Sequence, residues 1–260
     1  MAGRTLEIYE HVYMDGYDMT GYARSSGEQG VEYPEHDLTT FADSQQGMLV
    51  GKPTLTFGPF NGVFDNTATS GLHVLAAAAQ GTRRNIMVAY GIRTTPAIGD
   101  EAFCAPMLQS SYKSVLSGGT LVNMTFGADV NSAMLYDEFF GKMLHILGAE
   151  TGANTANTNA DFGAASVTKG GWLMYQINAI TGGAGTAAVS VDHSTTGTSG
   201  WAALAGATYG ALAYSAAPTS GIVKLATNVD VNRYLRWQLA LAGGATGATF
   251  ALAFMRGRVQ

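Results

Sequence analysis

Two glycine-rich stretches, five histidines, one cysteine and an Arg-Arg pair are the groups in this 260-residue chain whose types and spacing could do chemistry. Gly182-Gly183-Ala184-Gly185-Thr186 lies between two strand-like runs. A phosphate cradle needs the free N–H groups of a helix start, so this stretch reads as a turn. Gly47 to Lys52 misses the P-loop spacing by one position, and Pro53 stands where Ser or Thr would hold Mg²⁺. His11, His36, His73, His145 and His193 are scattered without paired ligand spacing, and His73 reads as an ordinary, partly exposed residue. Glu35-His36-Asp37 comes nearest to a metal cluster, yet adjacent side chains need help from elsewhere to converge on one ion. Cys104, flanked by Ala102-Phe103 and Ala105-Pro106, has no basic neighbour in sequence to lower its pKa and reads as a small buried hydrophobe. Asn123-Met124-Thr125 matches a glycosylation sequon without a secretory signal before it. The expectation is therefore no enzyme, no cofactor and no metal.

Composition points to a chain covered by something. Charged residues make up 13% and hydrophobic ones 47%, with 34 glycines. That is not the profile of a disordered chain, and it favours a surface partly covered by copies of itself. The net charge of −5 argues against tight nucleic-acid binding, which needs clustered Lys and Arg. It is compatible with DNA passing by, because like charge on a channel wall repels the backbone within about 8 Å at physiological salt. A single cysteine leaves no internal disulfide. Met1 to Glu7 holds no signal-peptide core and no window reaches the roughly 18 apolar residues of a membrane span. The expectation is a protein kept in the cytosol until assembled, with no membrane partner.

Behind these groups stand the elements that must position them, and the stretch from Asp15 to Asn66 organises the rest. It opens on an Asp15-Gly16 turn and crosses a long polar segment, Arg24 to Gly51, without helical period. A short alternating run, Thr54 to Phe57, then ends at Gly58-Pro59-Phe60-Asn61-Gly62. A structureless excursion of this length is uncommon inside a compact domain. Tyr22, Val31, Tyr33, Leu38, Phe41, Met48 and Leu49 give it too much apolar area for a solvated linker, so a partner is expected to cover it.

The runs DGYDMTGYARS, VEYPEHDLTTFADS and GKPTLTFGPFNGVFDN resemble the tail tube (major tail) proteins of long-tailed phages. In that family a strand leads to a long arm, and a turn like Gly62-Val63-Phe64-Asp65 leads into a helix. The C-terminal NRYLRWQLALAGGATGATFALAFMRGR is similar to the closing hairpin of the same proteins. The resemblance implies a virion protein of the tail, assembled in the host cytoplasm, with tape-measure, tail-terminator and baseplate proteins as neighbours and double-stranded DNA in transit.

Taken in order, Thr5 to Met14 reads as a strand. Thr67 to Gln80 reads as the one helix, capped by Asp65, Asn66 or Thr67, stopped by Gly81, with Leu72, Leu75, Ala76 and Ala79 on one apolar stripe that must lie across a sheet. Asn85 to Ile92, Phe103 to Leu116 and Leu121 to Val130 follow as strands, the last two joined by a Gly118-Gly119 hairpin turn. Pro106 places the middle run at a bulge or sheet edge. Ser132 to Gly148 reads as mostly extended, although Leu135, Phe139 and Met143 fit a helical stripe broken by Gly141. Glu150 to Ala165 is low-complexity and reads as a linker or surface loop, dividing a domain 1–148 from a domain 149–260, the second possibly continuous with the first sheet. Six further strands are expected: Trp172 to Thr181, Thr186 to His193, Thr208 to Ser215, Gly221 to Ala226, Tyr234 to Leu241 and Thr249 to Met255, with Trp237 in the core. The fold class is mainly β: an antiparallel sandwich or barrel of tail-tube type with one helix on the sheet, plus a C-terminal β-sandwich half.

Three functions fit these elements. The first is self-assembly into stacked rings of three or six subunits, forming a conduit for DNA ejection. Stacking contacts are expected from Tyr33, Glu35, Asp37, Leu38, Phe41, Met48 and Leu49, and from Arg83 and Arg84. Two adjacent arginines are too few for DNA affinity, so their expected partners are Glu32, Glu35 or Asp37 of a neighbouring arm. The second is a binding module that presents Trp201 or Trp172 to a glycan. The third is an enzyme, for which no candidate site stands out; a structural alternative related to the first is a capsid decoration protein, forming trimers on shells without tubes.

Overall fold

A computed structural model describes residues 9–40, 45, 47–51, 54–92, 94–116, 120–129, 138–163 and 169–257. The chain is mainly antiparallel β, with one α-helix among the described residues. β1 (Glu10–Met14) turns into β2 (Tyr17–Asp18), and β3 (Ala23–Ser25) follows. β4 (Glu28–Glu32), β5 (Glu35–Asp37), β6 (Met48–Val50) and β7 (Thr54–Gly58) make up the arm. β8 (Phe60–Val63), helix α1 (Leu72–Ala78), β9 (Arg83–Tyr90), β10 (Glu101–Leu116), β11 (Thr120–Ala128) and β12 (Phe140–Thr151) come next. The rest is β13 (Asn154–Thr155), β14 (Ala160–Asp161), β15 (Gly171–Thr181), β16 (Thr186–Ser194), β17 (Ala202–Thr208), β18 (Leu212–Ala213), β19 (Thr219–Lys224), β20 (Tyr234–Ala242) and β21 (Gly247–Arg256).

The strand that ties these together is β21, whose GATFALAFMR sequence is buried along almost its whole length. Side chains alternate across a strand, so one run of apolar residues feeds two cores. Phe250, Leu252 and Phe254 enter one core with Leu235, Trp237 and Leu239; Ala251, Ala253 and Met255 enter the other with Trp172, Phe103 and Tyr13. Full burial of each phenylalanine is worth about 2 kcal/mol. In the large sheet the order runs β19-β15-β21-β12-β10-β11-β8-β3, with β9 joining β1 to β10. Strands from both ends of that order contribute to one core, so the sheet curls over itself. The smaller sheet, β13-β20-β16-β17 with β14 and β18, covers its other face. Gly141 is what lets β12 lie against β21, because a Cβ there would sit 2.1 Å from the carbonyl oxygen of Phe254. The segment from Phe140 is thus strand, while 130–137 and the Gly118-Gly119 turn lie outside the described residues.

The division expected at 148/149 falls inside β12, and the large sheet takes strands from both sides of it. The low-complexity segment after it is not all linker: β13 and β14 both pair with β20, at Asn154↔Leu239 and Ala160↔Leu235. Backbone pairing needs no particular side chain, which is why the Asn/Thr/Ala composition concealed it. The C-terminal pair is likewise not a closing hairpin. β20 pairs with β16 in the small sheet, whereas β21 pairs with β12 and β15 in the large one, so the turn between them is a corner from one sheet to the other. A strand at 202–208 also stands where none was expected, and 214–216 is a 3₁₀ turn.

The helix is shorter than its composition suggests. Asp65 Oδ1 accepts from Thr67 N and Thr67 Oγ1, which closes a turn ahead of the helix and not the helix itself. Helix α1 starts only at Leu72, with no side-chain cap. Seven residues cannot hold a helix alone in water. Packing does it here: Leu72 and Ala76 are buried against the sheet, and the carbonyls of Leu75 and Ala76 accept from the buried side chains of Arg84 and Gln109.

Arg84 also sits against Asp15, with Nε 2.5 Å from Oδ2 though not aligned as a hydrogen bond. Burial pulls its guanidinium below the ordinary value, and Asp15 pulls it back. Around this pair the Asp15-Gly16 turn is clasped to distant strands. Gln176 Oε1 accepts from Gly16 N at 2.6 Å, Asn178 Nδ2 donates to Gly16 O at 3.0 Å, and Asp15 Oδ1 accepts from Asn85 N and Ser220 Oγ. Gly16 has φ +86, and a Cβ on it would lie 2.5 Å from both Ile177 O and Thr219 N.

Candidate functional site

The arm is a β-hairpin, not the unstructured excursion its sequence suggested. Its inner half pairs β4 with β7 from Glu28↔Gly58 to Glu32↔Thr54. Its outer half pairs β5 with β6, at His36↔Leu49 and Asp37↔Met48. Twenty-one residues separate the inner legs, so no local signal marks the pairing. The inner half is fixed to the body: Leu55 and Phe57 are buried, Phe57 stacks on Phe103 at 6.0 Å, and Val31 packs against the same core. A polar chain joins the two, with Gln29 Nε2 donating to Ser26 Oγ at 2.8 Å, Ser26 Oγ to Glu10 Oε2 at 2.8 Å, and Tyr90 Oη to Gln29 Oε1.

The outer half closes on itself through backbone bonds. Gly51 N donates to Pro34 O at 2.6 Å and Leu38 N to Gly47 O at 2.9 Å. Asp37 Oδ1 accepts from Thr39 N and Thr39 Oγ1, and Gly47 N donates to Thr39 Oγ1. This closure satisfies the main chain but leaves the side chains uncovered: Tyr33 is 41% exposed, Leu38 58%, Met48 48% and Leu49 54%. Met48 and Leu49 are adjacent on one strand, so they point to opposite faces of the ribbon. Each face therefore carries an exposed apolar side chain on β6, beside His36 on the Leu49 face and Asp37 on the Met48 face. Glu35 and Asp37 are exposed beside them. Arg24 to Gly51 holds one basic residue and five acidic ones, a net of −4 out of the chain's −5. Phe41 lies outside the described residues.

Arg83 and Arg84 part company. Arg83 Nε donates to Asp129 Oδ1 at 2.8 Å and keeps half its side chain in solvent. Arg84 is buried among Asp15, Gln109 and Leu75, so it is an internal residue that no neighbouring arm can reach. Alternation along β9 sends adjacent side chains to opposite faces, a point that two adjacent arginines in sequence do not reveal. The tryptophans expected to hold a glycan are also taken. Trp172 is fully buried and donates Nε1–H to Glu138 O at 2.8 Å. Trp201 lies under the guanidinium of Arg236, 4.3 Å from its ring centre, and Arg236 in turn donates to Asp192. His73 packs on Phe64 and hydrogen-bonds Tyr112, as a structural histidine does. Among the described residues no group of three or more His, Cys, Asp or Glu side chains gathers as a metal site would, and no helix is long and apolar enough to cross a membrane.

No family model matches the chain, and no curated protein matches it. Among solved structures it is similar to SPP1 Dit, described as a paradigm of the hub adsorption apparatus in phages infecting Gram-positive hosts. The identity is 12% and the TM-score 0.31, over 96% of this chain and 99% of that one.

Proposed function

We propose that this chain is a structural protein of a long-tailed phage, one that assembles with copies of itself into stacked rings of the tail tube. One observation carries the reading. The chain holds out, on an anchored base, a hairpin that exposes an apolar side chain on each of its two faces and bears most of the net charge. A ribbon with an exposed apolar side chain on both faces is completed by something that covers both, and an adjacent ring supplies such a slot between two subunits. The residues that resemble tail tube proteins span this hairpin and its flanks. Arg83, half exposed at the end of β9, is available to a carboxylate of a neighbouring arm, and Glu35 and Asp37 are the candidates. Tape-measure, terminator and baseplate proteins, and DNA in transit, follow from the same reading.

Electron microscopy of the purified protein tests it. Hollow filaments of uniform width are expected, and removal of residues 33–51, which leaves the β4–β7 pairing intact, is expected to give folded subunits that do not stack. Filaments formed equally well without those residues would overturn the role of the hairpin. Trimers without tubes would favour shell decoration instead.

A further inference from the structure

A cleft of about 760 Å³ opens beside the core that holds Phe250 and Trp237, lined by Thr94, Pro96, His145, Glu150, Asn154 and Trp237 among others. Its size is that of a site for a small molecule. The walls are held: Ala97 N donates to Asp100 Oδ2 at 2.8 Å and Gly99 N to Met143 O at 2.8 Å, which fixes the 94–98 loop. On the floor the His145 ring stacks on Phe250 at 4.2 Å and meets Trp237 edge-on at 4.9 Å.

The hydrogen bonds of that floor fix its side chains. His145 Nδ1 lies 2.9 Å from Phe250 O, which can only accept, so Nδ1 carries a hydrogen. His145 Nε2 lies 3.0 Å from Glu150 Oε1. Asn154 Nδ2 donates to Glu150 Oε2 at 2.9 Å, which leaves the carboxylate further lone pairs and part of its surface open to the cleft. No Lys or Arg stands among the described lining residues. The cleft thus offers a polar floor without Lys or Arg, hydroxyl and amide groups at the rim, and an apolar side made by Pro96, Ile98 and Trp237.

We infer that this cleft binds a neutral, hydroxyl-rich ligand of the size of one or two sugar units. Such a ligand carries hydroxyls that donate to Glu150 and a C–H face for the apolar wall. An anion meets no Lys or Arg there and faces the Glu150 side chain, and a purely apolar ligand would strip water from Glu150 and Asn154 without replacing its hydrogen bonds. The inference is independent of the tail reading and moves any glycan contact away from Trp172 and Trp201.

Saturation-transfer NMR and calorimetry on the full chain with glucose, galactose and N-acetylglucosamine, and with inorganic phosphate, test it. At least one sugar is expected to bind with a Kd on the order of 1 mM, and phosphate is not. Thr95→Trp, at an exposed rim position, fills the cleft without touching the core, and is expected to weaken that binding at least about tenfold, some 1.4 kcal/mol. Glu150→Gln, whose amide replaces a carboxylate acceptor, is expected to weaken it likewise. No binding by any of the three sugars, sugar binding that survives Thr95→Trp, or preferential binding of phosphate overturns the inference.

Discussion

Replacing Leu38, Met48 and Leu49 together by serine tests the hairpin reading most directly. Each side chain is about half exposed in the subunit. Full burial of such a side chain is worth roughly 1.5–3 kcal/mol, so covering the open half returns about 1 kcal/mol each and about 3 kcal/mol together. At 1.4 kcal/mol per factor of ten, the triple variant should need about a hundredfold higher concentration to assemble. Sedimentation velocity across a dilution series, with electron microscopy of the pellets, reads that threshold. The melting temperature of the isolated subunit is the control: exposed substitutions away from special features change stability by only about 0.5 kcal/mol. The single variants add geometry. If the ribbon is gripped on both faces, Met48→Ser and Leu49→Ser each raise the threshold about fivefold, from about 1 kcal/mol apiece. If it lies on one surface, only one of them does. Assembly of the triple variant at the wild-type threshold would refute the reasoning.

Three other outcomes follow. Gly16→Ala should lower stability by about 3 kcal/mol or more, seen as an early midpoint in urea, because a Cβ at φ +86 runs into Ile177 and Thr219 backbone and breaks the clasp; an unchanged midpoint would show the turn free to move. The Arg233 guanidinium, donating to both oxygens of Asp161, holds that carboxyl down to about 2, below its ordinary value. The folded value is the lower one, so the pair's stabilisation is present above the unfolded value and is lost as pH falls towards 2; Asp161→Asn should flatten that part of the acid unfolding curve. The Cys104 thiol is buried and pushed well above its ordinary value by that burial, so a disulfide-exchange reagent at neutral pH should modify it only at the rate of unfolding; rapid labelling of the folded chain would contradict the burial.

Much of the fold can be read along the chain, for a local reason. A strand with one or both faces covered writes its period into neighbouring residues, as in Tyr234 to Leu241 and Thr249 to Met255. The alternation of Phe250, Leu252 and Phe254 marks a strand and its inner face without reference to any partner. The alanine-rich strand at 202–208 buries Leu204 and Ala207, three positions apart, and the pairs β13 and β14 are two residues long, so none of them writes such a period. The helix was visible through its alanines, but its first residues were lost to the Asp65-Thr67 turn, where two hydrogen bonds outcompete helical geometry.

The candidate sites divide in the same way. That Tyr33, Leu38, Met48 and Leu49 bring apolar area to an otherwise polar segment follows from residue type alone. That they stand on a hairpin with two open faces, that Arg84 turns inward to Asp15 while Arg83 faces solvent, and that His145 meets Glu150 beneath Trp237 are matters of pairing register and sheet packing. Burial type is a property each residue carries with it. Which residues meet across a sheet depends on partners far away in sequence, and only the folded chain chooses them.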